Sequence, residues 1–329
     1  MARSSRSARG RDAPLATVPT GPLAALLTAV VDCRREGRVT TVGSGAHRRL
    51  KGRLAILVAA IAWSTAGVGQ RGLEATAATQ VVGRALFSAI ALVVLAAALE
   101  RRGTLRRFCA MGRFELLYAV LMAVASSAFI LALAHTTVAN VLFTQAAAPM
   151  MAALLGWAFI RERVGVRTWI ALALAAAGVA TMAGDSLTAG WAAVVLPFAM
   201  TSGFACAIVV ARHQRSTSML PATALSQVLV VVALAPFIDL GSAGEGDWAV
   251  LAGLGVGQIG LGLALLAVAA RLIPPAEVAI ISLLEVVLGP LWVLLVYAER
   301  PSMATLGGGA VILAAVIVQA RGRVNGRTA

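Results

Sequence analysis

Residues Thr136–Ala183 read TTVANVLFTQAAAPMMAALLGWAFIRERVGVRTWIALALAAAGVATMA. Two long apolar segments flank a short charged elbow, Arg161-Glu162-Arg163. The pattern returns 137 residues later, where the apolar run from Pro275 to Tyr297 leads into Glu299-Arg300 and a last apolar segment ending near Ala320. At that offset Glu162-Arg163 falls on Glu299-Arg300, Thr168 on Thr305 and Leu154 on Leu291. Matches of Ala, Val and Leu are cheap in a chain this apolar; the shared Glu-Arg elbow is not. An internal repeat of this kind in a membrane chain marks a protein built from two related halves.

Apolar residues make up 60% of the 329-residue chain and charged ones only 13%. Soluble domains are nearer half apolar and a quarter charged. From Leu54 onward the chain alternates between apolar spans and short polar breaks, and ten spans are expected: 54–70, 79–99, 116–134, 138–160, 168–184, 190–210, 219–238, 248–270, 275–297 and 304–320. Their lengths suit helices that cross a bilayer, and a spanning segment must satisfy its own backbone polar groups. Residues 1–52 differ: they are rich in Arg, Ser, Gly and Pro, and their one apolar run, Leu23–Val31, is too short to span. They read as a basic cytoplasmic tail, with a shorter one at 321–329.

The net charge of +14 invites a nucleic-acid reading, but the placement of the charges opposes it. With the N-terminus inside, 25 of the 28 basic residues fall in the tails and inner breaks, Arg71 and Arg300 fall outside, and Arg84 lies within the second span. The outer breaks carry Glu74, Asp185, Asp239, Glu245 and Asp247 instead. Such a bias sets topology and places both termini in the cytoplasm, with a basic face against anionic lipid of the inner membrane. Five spans per repeat is odd, so the second copy enters upside down. The expected fold is all-α: ten transmembrane helices as two inverted five-helix repeats, residues 53–184 and 190–320.

With these features the chain resembles the ten-helix, EamA-type members of the drug/metabolite transporter superfamily over about residues 53–320. The most specific part is the end of each repeat: Pro149, Gly156, Glu162 and Gly178 in the first, and Glu285, Glu299 and Gly307 in the second. Val286 stands where the family often has a proline, and Ala315 replaces the second glycine of the last helix; these departures bear on the subfamily. The resemblance implies secondary transport of a small organic solute such as an amino acid, metabolite or drug, with export favoured, by alternating access. A multi-pass enzyme acting on a lipid-like substrate, or a non-transporting scaffold, is the alternative.

Polar residues at membrane depth are the candidates for function, because placing them there is costly. Glu285 is the sharpest: a carboxylate mid-helix costs roughly 2.5–3.5 kcal/mol on insertion scales. It is either a proton or substrate-amine site or a structural hydrogen-bonding group. Ser282, three residues earlier, shares its helix face. The offset carries Asn140 onto Glu277 and Gln145 onto Ser282, placing polar groups on both fourth helices of the repeats. They line a pocket or bond helix to helix. Arg84 either attracts a substrate carboxylate as a bidentate donor or snorkels to the surface. Trp63 and Gln258 are further candidates for the cavity wall.

No cofactor is implied. Gly67–Gly72 and Gly255–Gly260 both fit the dinucleotide fingerprint, but that motif needs a strand before it and a helix after it, and both lie in spans. Cys33, Cys109 and Cys206 have no metal spacing, so no metal site is expected. The expected partners are a small-molecule substrate, protons and membrane lipids, with no nucleic acid and a homodimer left open.

Overall fold

The computed structural model describes residues 44–100, 108–161, 165–188, 190–214 and 217–325. The elbow residues Glu162-Arg163 and most of the N-terminal tail lie outside them. The described chain is helical, without a strand among the described residues. Eight helices are long and apolar enough to cross a membrane, and two shorter apolar helices, Thr168–Met182 and Met303–Val318, bring the total to ten.

We number them in order. α1 runs as Ser44–Ser64 and Ala66–Arg71, α2 as Ala77–Glu100, α3 as Arg113–His135, α4 as Val138–Ala146 and Ala148–Ile160, and α5 as Val166–Thr188. α6 is Ala192–His213 and α7 is Leu220–Leu234. α8 is Glu245–Ala252 and Gly262–Leu272 joined by the π-helical stretch Gly253–Leu261. α9 is Pro275–Tyr297 and α10 is Met303–Asn325. α4 and α9 keep the expected bounds. α1 starts at Ser44, ten residues before the expected span, and its extension carries exposed Arg48, Arg49, Lys51 and Arg53. Helix is the form that satisfies the backbone near lipid, and long basic side chains reach water from it.

The offset of 137 found in the sequence holds to the residue in the second half of each repeat. α3 ends at His135 and α8 at Leu272; α4 and α9, and then α5 and α10, start and stop at matching positions. The caps match as well. Arg161 closes α4 at φ 55° and Ala298 closes α9 at φ 53°, the only non-glycine positive φ values among the described residues. A left-handed residue there turns the chain back sharply after the last helical carbonyls.

Packing repeats the same relation. α1 lies against α8 and α9 as α6 lies against α3 and α4; α2 packs on α8 as α7 packs on α3. Three contacts join equivalent helices of the two halves, α2 with α7, α4 with α9 and α5 with α10. The α5–α10 crossing depends on glycine: a Cβ on Gly178 would stand 2.6 Å from the Gly308 carbonyl oxygen, and one on Gly308 would stand 2.5 Å from that of Gly178. The offset carries Gly178 onto Ala315 and Gly308 back onto Ala171, both fully buried. Close approach through small residues is how helices associate without a hydrophobic driving force between them.

Candidate substrate cavity

Two helices interrupt their hydrogen bonding inside the bundle. In α4, Pro149 has no N–H for the Gln145 carbonyl, and the Ala147 N–H turns back to the Gln145 and Thr144 carbonyls instead. In α1 the break falls at Thr65, between Ser64 and Ala66. A third, α8, widens to a π-helix over Gly253–Leu261, a form frequently found at functional sites. Irregular backbone at membrane depth survives where protein or a cavity surrounds it.

α4 and α9 run antiparallel, since the Val138 N–H at the start of α4 donates to Glu299 Oε1 just past the end of α9, at 2.8 Å. Further in, the Leu142 side chain fills the space where Gly289 has none. The repeat relation maps that pair onto Ala152 and Ala279, and the level halfway between the two pairs falls at Ala147 and Leu284. The α4 interruption and Glu285 therefore sit at the depth of the pseudo-two-fold axis. Glu285 is partly exposed, and among the described residues it makes no hydrogen bond or ion pair.

Ser282, Glu285, Gly289 and Trp292 form one stripe on α9. The stripe faces α4 at Gly289 and α1 at Trp292, whose Nε1 donates to Ser64 Oγ at 3.0 Å. Ser282 Oγ donates to the Val278 carbonyl of its own helix at 2.9 Å, leaving its lone pairs open. Gln145 is half-buried one turn from Leu142, level with Val286. Next to this stripe, Gln258 Nε2 donates to the Trp63 carbonyl at 3.4 Å, and the Trp63 indole lies where Gly262 lacks a side chain. Gln258 is buried and its Oε1 has no hydrogen-bond partner. Ser282 and Glu285 thus share the α9 face that meets α4 and α1, Trp63 and Gln258 meet at the adjoining contact of α1 with α8, and Gln145 lies at the same level of α4, which together mark a seam in the middle of the bundle.

Asn140 and Arg84 are placed elsewhere. Asn140 belongs to the first turn of α4, where its Nδ2 donates to Thr136 Oγ1 at 3.0 Å. It borders a small cavity of about 30 Å³ with Thr144, Val179, Ala193 and Pro197, between α4, α5 and α6. Its repeat mate Glu277 also sits in a first turn and pairs with Arg53 at 2.9 Å. Both are helix-end residues, away from the midplane. Arg84 is buried, 5% exposed, which excludes snorkelling. Its guanidinium lies 5.3 Å from the centre of the Phe129 ring on α3.

The sequence reading missed Trp292, although its place seven residues after Glu285 puts it on the same helix face. It also missed the Arg71–Glu299 pair, because no local pattern links residues so far apart.

The fold and its midplane seam define a multi-pass helical membrane protein of two inverted repeats. Residues 50–184, from the first turns of α1 to α5, match the EamA-like transporter family. No curated protein matches. A protein of known crystal structure superposes with a TM-score of 0.57 at 14% identity, over 82% of this chain and 96% of that one. At that identity the likeness concerns the fold alone.

Proposed function

We propose that the chain is a secondary transporter that moves a small organic solute, such as an amino acid, metabolite or drug, out across the cytoplasmic membrane. The observation that carries this reading is the midplane seam: the α4 interruption and Glu285 lie at one depth, that of the pseudo-two-fold axis of two inverted repeats. Transporters of that build bind substrate at the repeat interface, beside interrupted helices, and rock one half against the other. The EamA-type match supports the same class. In this reading Glu285 takes up a proton or a substrate amine. Gln145 and Ser282 accompany it on facing helices, while Trp63 and Gln258 close the wall on the α1–α8 side. Binding of proton and amine to one carboxylate is mutually exclusive, which couples solute movement one way to proton movement the other.

Purified protein in proteoliposomes tests it. Metabolites and drugs loaded inside are followed for loss under an imposed pH gradient. Gradient-dependent efflux of at least one solute, absent from protein-free vesicles, is the expected result. Chemical conversion of a lipid without solute flux would refute it.

A further inference from the structure

We infer that Arg84 is the anion-binding element of a carboxylate subsite between α1, α2 and α3. The inference rests on the transporter reading and narrows its substrate class to solutes bearing a carboxylate. Arg84 is 5% exposed and sits about two turns inside α2. Its Nη1 is buried without a hydrogen-bond partner, and among the described residues no carboxylate pairs with it. The two ion pairs found there, Arg53–Glu277 and Arg71–Glu299, use other residues. A guanidinium is charged at any physiological pH, and a buried charge without a partner is strongly unfavourable. The ring of Phe129 offers only its face, which compensates part of that cost.

The surroundings suit a small organic anion that also carries a donor. Gln80 lies one turn before Arg84 on the same face of α2 and accepts from Gln70 Nε2 at 3.0 Å. Gln70 is itself buried, and its Oε1 has no partner. The two buried orphan atoms are of opposite kind, a donor on Arg84 and an acceptor on Gln70. A carboxylate beside an amine or hydroxyl supplies what each lacks. On the far side α8 approaches closely: a Cβ on Gly255 would stand 2.9 Å from the Arg84 carbonyl oxygen. Ser88 Oγ spends its proton on that same carbonyl at 2.7 Å. Neither group is available to neutralise the guanidinium. Planar donors in a fixed fork match a carboxylate better than they match a spherical anion.

The test is binding, which requires no transport. The purified chain is reconstituted in phosphatidylcholine vesicles, whose headgroups carry no net charge. It is titrated with alanine, lactate and acetate, and with alaninamide and chloride as controls, following tryptophan fluorescence and thermal unfolding. Saturable signals from alanine or lactate, with alaninamide silent, are expected. Arg84→Gln is expected to weaken them about tenfold or more, as loss of a charged hydrogen bond does. Arg84→Lys is expected to weaken them less, and it gives the reading if the Gln variant does not fold. Equal affinity in a folded Arg84→Gln protein overturns the proposal, and so does full competition by chloride or silence of every carboxylate. Efflux of a cationic solute by a protein that binds no carboxylate would leave the transporter reading standing and remove this one.

Discussion

Arg71 at the end of α1 donates through Nε to Glu299 Oε2, just past the end of α9, at 2.8 Å. The same guanidinium donates to the Leu133 carbonyl at 2.7 Å and to the Thr136 carbonyl at 2.6 Å. Glu299 in turn holds the first N–H of α4. One ion pair thus ties α1, α3, α4 and α9 together at one face of the bundle. A bundle that opens on that face must break it. Arg71→Ala and Glu299→Gln are each expected to destabilise the protein by about 1–3 kcal/mol, as loss of a partly buried charged hydrogen bond does. Each should also raise labelling of a cysteine placed at Thr136 by a membrane-impermeant thiol reagent. Unchanged melting and unchanged labelling in both variants would show that the pair does not hold this face closed.

Glu285→Gln keeps the size of the side chain and removes its ability to ionise. The variant is expected to insert and to melt within a few degrees of the parent. Efflux driven by a pH gradient should fall to near background, while solute exchange at equal pH persists. Full gradient-driven efflux from the Gln variant would make Glu285 a structural residue.

The glycines at the α5–α10 crossing make a paired test. Gly178→Ala and Gly308→Ala each drive a methyl group into the opposite backbone, which cannot rotate away; overpacking of this kind costs about 1–3 kcal/mol. Gly307 has open space at its Cβ position, so Gly307→Ala should be neutral or slightly stabilising, through helix propensity. Thermal unfolding in detergent compares the three. Equal melting temperatures would mean that α5 and α10 do not meet as closely as the structure has them.

The charge distribution predicts an orientation. Reporter fusions after Arg113 and Ala329 are expected to report cytoplasm, and one at Gly244 the opposite side. An external signal from Ala329 would contradict two inverted five-helix repeats.

Much of the fold was legible before any coordinates. The bounds of α4 and α9 came directly from the sequence, because a charged elbow cannot enter lipid without cost and so fixes where a span stops. The repeat was legible for the same reason: Glu162-Arg163 and Glu299-Arg300 sit at one offset, which the matching left-handed caps Arg161 and Ala298 then carried into three dimensions. Glu285 stood out as a carboxyl in an apolar helix. The start of α1 was placed too late, since its basic extension reads as polar in composition yet remains helical.

The sequence by itself determined the membrane class, the number of helices and their inverted duplication, because hydropathy, length and charge act locally along the chain. Only the tertiary structure decided which polar residues meet. Trp292 and Ser64 are 228 residues apart, as are Arg71 and Glu299. Periodicity says which face of a helix a residue occupies, but not which other helix that face will meet. The burial of Arg84 against Phe129 and the shared depth of Glu285 and the α4 break follow from how the two halves pack. That packing is set by small-residue contacts such as Gly178 on Gly308 and Gly289 on Leu142, where the missing side chain matters only once the opposing helix is in place.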